Sequence, residues 1–491
     1  MTNMWMVRAG DDAFLYDEIK NRNIAIIGWG IKDVRGKNKD EIKNLLEEKY
    51  PNKDKGTIGK WASMIFDFAS SIEKGDYVVS SSHKSNKKFL LGKFTSDYSF
   101  SEELIEEGID PNCIYDSIRD VKWLCEFPCA AVSEKNRRVI RKPPTLFEIK
   151  DKTKDEILNY YNWNSKNKRN IIFFGAPGTG KSYKLNLEKN NLLLDKNDYE
   201  RVTFHPDYSY ANFVGTYKPF VPKEDSISYK YVAGPFMRTL VKALKNPTKP
   251  FLLIIEEINR ANVAAVFGDV FQLLDRDKNQ ESKFPIETTE DMRIYLEEEF
   301  KDAIEKDKDL KDYLTLILNE DYSRIKIPSN MFIWATMNSA DQGVFPMDTA
   351  FKRRWDFKYF GINDKKEKIE HIKINLNGQK ISWNAIREAI NNELLSYKIN
   401  EDKLLGPFFA FTEYIDENEI TDYDFKEIFK NKIIMYLFED VARAKRDILF
   451  APVKEKNKGK SVIYSEVCDM FDKDGLKIFC KNIQDQLKLS Q

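Results

Sequence analysis

The side chains with the clearest chemical potential stand in one short run, Gly175-Ala176-Pro177-Gly178-Thr179-Gly180-Lys181-Ser182. An apolar segment, residues 170–174, precedes this run, and a helix-compatible segment follows it. Glycines at this spacing let successive backbone N–H groups surround phosphate oxygens, and the following helix directs its positive end at the same anion. Lys181 is expected to reach the outer phosphates, and Ser182 to hold Mg²⁺ through its hydroxyl. The pattern predicts a phosphate-binding loop and does not identify the base.

An acidic pair follows a second apolar segment. Residues 250–255 have the composition of a buried parallel strand, and Glu256 and Glu257 come directly after them. Glu256 is expected to orient Mg²⁺ through its waters, and Glu257 to polarise the attacking water as a general base. Asp is the commoner residue at the first of these positions. The alternative is that both acids cap the helix that follows.

Further polar side chains lie beyond a third predicted strand, residues 330–336. Asn338 and Asp341 are placed to contact the γ-phosphate or the lytic water. Arg353 and Arg354 end a predicted helix, and one of them is expected to complete the site of a neighbouring subunit. An arginine supplied in this way offsets the charge that develops on the transferred phosphoryl group. A solvated basic face is the alternative for each arginine.

Together these motifs resemble the McrB branch of the AAA+ proteins, the motor subunits of modification-dependent restriction systems. The resemblance covers roughly residues 165–455, and the segments that carry it are 203–210, 256–262, 266–275, 337–341, 405–409 and 436–443. It implies a ring-forming, usually hexameric GTPase that binds modified DNA through its N-terminal domain and drives a separate McrC-like nuclease. The preference for GTP over ATP rests on the resemblance alone. Gln342 stands where the family usually has Arg, which leaves the rate of hydrolysis open.

The predicted fold is an α/β AAA+ P-loop NTPase core with a C-terminal helical lid, preceded by a small α+β domain. The N-terminal domain is expected over residues 1–150, a linker over 151–168, the nucleotide-binding core over 169–360 and the lid over 361–491. A charged segment, about 285–328, is expected to form a helical insertion in the core.

The N-terminal residues predict short strands at 4–10, 23–30, 75–80 and 89–94, and an amphipathic helix at 58–68. Their order resembles the EVE/YTH-like members of the PUA superfamily, in which a modified base is turned out of the duplex into an aromatic pocket. Trp29 and Trp61 are the candidate pocket walls, although either could equally fill the core. The candidate edge readers are Tyr77, Ser80, Ser81 and Ser82. Two basic runs, residues 84–88 and 137–142, are candidates for the DNA backbone or for simple solvation.

Composition sets outer limits on these hypotheses. The 79 basic and 79 acidic side chains give no net charge, so any DNA binding must come from local patches. Five cysteines, odd in number and sparse, argue for a reducing compartment. The sequence shows no leader and no long apolar run, which predicts a cytoplasmic protein without a membrane partner.

Two other classes of function stay open. One is an ATP-driven remodeller of proteins, of the MoxR kind. The other is a DNA-binding module in which nucleotide controls assembly while hydrolysis is slow, which Gln342 and Glu256 keep open. The sequence offers no convincing nuclease site of its own.

Overall fold

The computed structural model describes residues 2–8, 10, 13–81, 87–100, 115–192, 194–220, 228–338, 344–376, 379–411 and 419–489. The chain divides into two compact units, and both are discontinuous in sequence. The first unit contains Met1–Asn167, Gly215–Phe251 and Gln272–Phe332, and the second contains Lys168–Val214, Leu252–Phe271 and Ile333–Gln491. The segment predicted as an insertion therefore belongs to the same unit as the N-terminal residues.

Within the described residues the strands are β1 (Met4–Val7), β2 (Ile24–Ile27), β3 (Tyr77–Ser81), β4 (Lys88–Phe94), β5 (Ser99–Phe100), β6 (Ser117–Pro128), β7 (Leu146–Glu148), β8 (Asn170–Gly175), β9 (Tyr199–Thr203), β10 (Gly215–Phe220), β11 (Ser228–Ala233), β12 (Phe251–Glu256), β13 (Ile286–Glu287), β14 (Arg324–Ile325), β15 (Met331–Asn338), β16 (Asp356–Phe360), β17 (Lys373–Leu376), β18 (Gln379–Ser382) and β19 (Glu419–Ile420). The α-helices are α1 (Tyr16–Arg22), α2 (Lys39–Lys49), α3 (Lys55–Phe66), α4 (Glu134–Ile140), α5 (Asp151–Lys166), α6 (Lys181–Asn190), α7 (Tyr210–Phe213), α8 (Pro235–Lys245), α9 (Val263–Phe267), α10 (Glu290–Lys306), α11 (Lys308–Leu318), α12 (Thr349–Lys352), α13 (Trp383–Ser396), α14 (Asp422–Ile428), α15 (Arg446–Leu449), α16 (Ala451–Lys456), α17 (Tyr464–Asp474) and α18 (Lys481–Gln486). None of the described helices is both long and apolar enough to cross a bilayer.

The N-terminal sheet of the first unit has the strand order β2-β6-β4-β3-β1-β7, with β5 beside β6. Strands β1 to β4 lie in the segments predicted as strands, and α3 overlaps the predicted helix. The buried face of α3 carries Ile58, Ala62 and Ile65, which share a core with α2 and the sheet. Strand β6, which lies between β2 and β4 and pairs with both, was not predicted from the sequence.

The predicted linker is largely a helix that belongs to the core of the first unit. Ile157, Tyr160 and Trp163 are buried at three-residue spacing along α5, which places them on one helical face. The Trp163 ring packs edge-on against Phe332, with ring centroids 6.2 Å apart. This apolar spacing outweighs the Asn- and Lys-rich composition that suggested a connection.

Two arginines of the second basic run are held by carboxylates of the same unit. Arg137 is only 4% exposed, and its guanidinium binds Asp307 and Asp309 at the junction of α10 and α11. Arg141 makes two hydrogen bonds of 2.7 Å to Asp309. Arg137 is therefore buried and does not face solvent, contrary to expectation, whereas Arg141 stays exposed beside its carboxylate partner.

The second unit is built on a sheet with the strand order β16-β8-β15-β12-β9. Strand β8 pairs in parallel with β15 and β16, and β12 pairs in parallel with β9. Parallel strands bring their carboxyl ends to one edge of the sheet, where ligands of open α/β sheets bind. At this edge Asn338 lies directly opposite Gly175 in the β15–β8 ladder, and Glu256 ends β12. The topology therefore gathers Gly175, Glu256 and Asn338 along a single edge.

The C-terminal part of the second unit contains helices α13 to α18 around one apolar core. It also contains a small sheet, β18-β17-β19, which the prediction of a helical lid did not include. The sequence does carry a signal for a hairpin here, because Asn377-Gly378 stands between β17 and β18 in a segment of alternating apolar residues.

Candidate nucleotide-binding site

The glycine-rich loop joins β8 to α6, as the sequence predicted. Gly175, Gly178 and Gly180 have φ angles of +153°, +72° and +85°, which side-chain-bearing residues rarely adopt. The Thr179 hydroxyl donates to the carbonyl of Ala176 at 2.9 Å and closes the turn. Helix α6 begins at Lys181, so its free N–H groups and positive end lie at the loop. The loop therefore has the features of an anion-binding site.

The ammonium group of Lys181 lies inside this loop. The residue is 8% exposed, and Nζ donates to the carbonyls of Gly175 and Ala176 at 3.0 Å each. Carbonyl oxygens are weaker partners for an ammonium than phosphate oxygens are. The side chain is therefore poised to exchange these contacts for an anionic ligand.

Glu256, at the end of β12, has hydroxyl groups near one carboxylate oxygen and an arginine at the other. Its Oε2 accepts from the Thr336 hydroxyl and lies 3.5 Å from the Ser182 hydroxyl. Its Oε1 forms an ion pair with Arg201 of β9, whose other nitrogen donates to Asn186 at 2.5 Å. Arg201 was missed by the sequence analysis. No strand was predicted at residues 199–203, so the signal in the sequence was only a basic residue two positions before the 203–210 segment of the family resemblance.

The oxygens of Ser182 and Glu256 suit Mg²⁺, which prefers hard ligands and keeps several waters. Among the described residues no cluster of three or more His, Cys, Asp or Glu side chains could hold a metal ion. Ser182 and Glu256 would supply two oxygens of a coordination shell, which fits an ion that binds together with substrate phosphates.

Glu257 is held in an unusual backbone conformation. Its φ of +55° lies in the left-handed region, which costs a residue other than glycine roughly 1–2 kcal/mol. Its N–H donates to the Thr336 hydroxyl at 3.2 Å, and its Oε1 accepts from the Asn338 side-chain amide at 2.6 Å. Arg260 lies 3.5 Å from Oε2. The structure thus brings Glu257 and Asn338 into direct contact, as expected for side chains at adjacent strand ends.

The two candidate arginines differ in their surroundings. Arg354 lies with its guanidinium carbon 3.9 Å from the centroid of the Phe271 ring and donates to the Ala350 carbonyl at 2.7 Å. Arg353 is exposed at the end of α12, and within the described part of the chain its side chain has no ion-pair or hydrogen-bond partner. Asp341 and Gln342 lie outside the described residues.

A segment of the C-terminal part lies directly on the phosphate loop. The N–H groups of Gly406 and Phe408 donate to the carbonyls of Pro177 and Gly178 at 3.0 and 2.7 Å. A Cβ atom added to Gly406 would lie 2.4 Å from the carbonyl carbon of Gly178. The indole of Trp383 donates to the Pro407 carbonyl at 3.1 Å and fixes the segment from behind. In the sequence these residues stood out as part of the family resemblance, and their contact with the loop backbone was not predicted.

The N-terminal candidates are only partly brought together. Trp29 and Trp61 are half-buried, with ring centroids 6.2 Å apart, and Trp61 lines a groove of about 1120 Å³ along α3. Tyr77 and Ser81 are described on β3 but do not line this groove, and Tyr77 is covered by Lys93 at 4.6 Å. Ser80 is buried and Ser82 lies outside the described residues. The groove contains two aromatic residues that the sequence analysis did not select, Trp5 and Phe147.

The site has three parts on neighbouring strands. The phosphate loop follows β8, the acidic pair stands at the end of β12, and Asn338 ends β15, which lies between them. This arrangement defines a P-loop NTPase of the AAA+ class. Comparison with known proteins agrees: residues 170–355 match the AAA domain (dynein-related subfamily). Residues 5–150 match a domain of unknown function (DUF8426), which gives no support to the predicted PUA resemblance.

Two curated relatives are components of restriction enzymes. The chain is 42% identical over 330 residues, 60% of this chain and 88% of the relative, to the type II restriction enzyme BsuMI component YdiS of Bacillus subtilis. It is 30% identical over 194 residues, 39% of this chain and 35% of the relative, to the type IV methyl-directed restriction enzyme EcoKMcrB subunit of Escherichia coli. A solved structure described as an ATPase from Cytophaga hutchinsonii covers 50% of this chain and 62% of that chain at 14% identity, but its TM-score of 0.23 is too low to inform on the fold. The chain belongs to the family of YdiS, a component of a restriction enzyme, and it carries an AAA+ domain that is similar to McrB.

Proposed function

We propose that this chain is the GTP-hydrolysing motor of a restriction system that recognises modified DNA through its N-terminal residues and drives a McrC-like nuclease subunit. The observation that carries the hydrolytic part is the contact between Glu257 and Asn338 beside the phosphate loop. A carboxylate held by an amide at the end of a strand keeps a fixed direction, which places it to polarise water.

In the proposed mechanism, residues 175–182 surround the triphosphate, and Lys181 leaves the loop carbonyls for the phosphate oxygens. Ser182 and Glu256 would hold Mg²⁺, which neutralises phosphate charge when bound. Thr336 and Arg201 fix the two oxygens of Glu256, so this longer acid keeps one orientation. Glu257 accepts a proton from the attacking water, while Asn338 and Asp341 respond to the γ-phosphate.

The proposal places a second subunit at each site. Arg353 is the better candidate for the arginine supplied in trans, because it is exposed while Arg354 is engaged with Phe271. A site completed by a neighbour requires self-association, and a closed hexameric ring is the arrangement proposed here. Three parts of the proposal depend on the McrB-like resemblance: the preference for GTP, the DNA partner and the nuclease partner.

The decisive experiment replaces Glu257 with Gln in the full-length protein. Turnover of GTP should fall by about 100-fold or more, because general-base catalysis contributes at least this factor, while binding of a fluorescent nucleotide should be retained. Glu367→Gln, an exposed acid of the same unit, is the matched control. Unchanged turnover in Glu257→Gln would remove this residue from the role of base.

Two further measurements separate the alternatives. Competition of GTP and ATP against the fluorescent nucleotide tests the base preference, and a clear preference for ATP would contradict the GTPase proposal. Stimulation of hydrolysis by modified duplex, by plain duplex and by an unfolded polypeptide tests the partner. Stimulation by the polypeptide alone would favour a protein remodeller of the MoxR kind.

A further inference from the structure

The hairpin formed by β10 and β11 is fixed at its base within the first unit. The two strands pair antiparallel from Gly215↔Ala233 to Phe220↔Ser228 and form a sheet of their own. Tyr231 is 8% exposed and packs on Tyr295 of α10, with ring centroids 5.3 Å apart. A Cβ atom at Gly215 would lie 2.3 Å from the Tyr231 hydroxyl, so glycine is needed for this close approach. Packing at its base therefore fixes the position of the hairpin within the first unit.

One face of the hairpin presents aromatic rings to solvent. Because side chains alternate along a strand, Tyr217, Pro219 and Tyr229 share a face with Tyr231. Tyr217 is 48% exposed and Tyr229 is 59% exposed. Their ring planes are within 9° of parallel, with centroids 6.1 Å apart. The outer part of this face thus presents two nearly parallel aromatic rings, each about half exposed.

The opposite face carries two uncompensated positive charges. Lys218 and Lys230 are direct cross-strand partners, and both are exposed. Like charges at such positions destabilise a strand pair. In the described part of the chain neither lysine forms an ion pair or a hydrogen bond through its side chain. A ligand with closely spaced negative charges would relieve this repulsion.

We propose that this hairpin binds single-stranded DNA, with bases stacked on Tyr217 and Tyr229, and that the positive charges of Lys218 and Lys230, on the other face of the same two-stranded ribbon, attract its phosphates. Aromatic platforms with nearby cations bind single strands without sequence preference, because every base has a flat face. A duplex hides those faces, and an apolar peptide would not favour the lysine pair. The inference rests on the proposed function for its choice of DNA, and it adds a contact site outside the N-terminal residues.

The test uses the full-length protein and the fluorescence anisotropy of a labelled oligothymidylate. Tyr217→Ala and Tyr229→Ala should each weaken binding by roughly 5- to 100-fold, whereas Tyr217→Phe and Tyr229→Phe should retain it, because stacking needs the ring and not the hydroxyl. Lys218→Gln and Lys230→Gln should each lower the slope of log affinity against log salt by about 0.7, the value for one lost phosphate contact on a single strand.

Matched controls are Tyr423→Ala, which removes a tyrosine that is 75% exposed elsewhere, and Lys301→Gln on α10. Neither should change binding, and thermal unfolding checks that every variant is folded. Wild-type affinity in both alanine variants would overturn the inference, as would wild-type protein that does not bind the oligonucleotide. Loss of a polypeptide ligand with unchanged oligonucleotide binding would instead assign the hairpin to a protein partner.

These outcomes separate the inference from the proposed function. If the wild type hydrolyses GTP and binds modified duplex while the hairpin variants bind oligothymidylate normally, only the hairpin inference fails. If the wild type hydrolyses no nucleotide and binds no DNA, the proposed function fails as well.

Discussion

At the scale of single residues, the two adjacent arginines show how context assigns different roles to the same side chain. Arg354 gains from stacking on Phe271, and planar guanidinium groups favour such contacts. Arg353 extends from the end of a short helix whose start is fixed by the Asp348 carboxylate, which accepts from the Phe351 N–H at 2.6 Å. The Arg353 guanidinium is exposed, and its backbone is held by this helix. It is therefore suited to contact another subunit.

We predict that Arg353→Ala lowers GTP turnover by about 100-fold or more with nucleotide binding retained, since an arginine supplied in trans contributes at least this factor. Mixing Arg353→Ala with Glu257→Gln subunits should restore part of the turnover. Some sites in the mixture combine an intact Glu257 with an intact Arg353 from the neighbour. Steady-state hydrolysis across mixing ratios measures this effect, and mixtures no more active than either variant would show that Arg353 acts within its own subunit or not at all.

Asp116 gives a prediction about pH. It is 2% exposed, its Oδ1 accepts from the Ser117 hydroxyl at 3.1 Å, and its Oδ2 has no hydrogen-bond partner among the described residues. Burial raises the pKa of this carboxyl to about 6. The folded state therefore holds the proton more tightly than the unfolded state, so stability is lost as pH rises from about 4 to about 6.

Asp116→Asn should accordingly stabilise the protein by about 3 kcal/mol well above pH ~6 and by little below pH ~4, because the amide is never charged. Urea unfolding at several pH values measures the difference. Asp120→Asn, at an exposed position four residues on, is the control and should show no such pH dependence. Equal stability of Asp116→Asn and wild type at neutral pH would contradict the argument.

At the scale of elements, local sequence patterns were enough to predict the strands that carry the site residues. They were not enough to predict which strands pair with each other. The apolar runs before Gly175 and Glu256 are buried on both faces of a parallel sheet, so each is readable on its own. Strand β6 was not predicted, because Arg119 interrupts its pattern. That arginine is 2% exposed and donates to the carbonyls of Phe68, Ala69 and Ser96, partners that no local pattern reveals.

The candidate site shows the same limit. Residues within one motif were predictable because their chemistry depends on spacing along the chain. Arg201 and the Gly406 segment reach the site from elements whose distance in sequence hides their proximity. Sheet order and backbone contacts are settled by tertiary packing, and single-sequence patterns do not encode them directly.

Gly406→Ala tests the contact between the C-terminal part and the phosphate loop. The added methyl group would meet the backbone of Gly178, which cannot rotate away as a side chain could. We expect a loss of about 1–3 kcal/mol in stability, the usual cost of overpacking, together with weaker nucleotide binding. Chemical denaturation and nucleotide titration measure the two effects. Gly59→Ala is the control, since its methyl group meets open space and should raise helix stability by up to about 1 kcal/mol.

At the scale of the whole molecule, the first unit combines the N-terminal residues with segments that interrupt the AAA+ sequence. Arg137 is central to this arrangement, because it is buried between Asp307 and Asp309 at the α10–α11 junction. Removing one member of a buried ionic group leaves the remaining charges without compensation. The N-terminal residues are therefore expected to unfold together with the insertion.

Arg137→Ala should lower the free energy of unfolding by about 3–5 kcal/mol. Its matched control is Arg138→Ala, which breaks a pair with Glu134 at a position 78% exposed and should cost no more than about 1 kcal/mol. Chemical denaturation followed by tryptophan fluorescence compares the two. Similar small losses in both variants would show that the buried ionic group does not hold the unit together.

The meeting of Gly178 and Gly406 also limits how this protein can evolve. A methyl group on Gly406 would meet the backbone of Gly178, and a methyl group on Gly178 would meet the backbone of Phe409. Gly178 has in addition a φ that L-residues avoid. Neither position can therefore gain a side chain while the backbone that faces it stays in place. A descendant that lost the contact would have to move the whole 405–409 segment away from the loop in one change of backbone.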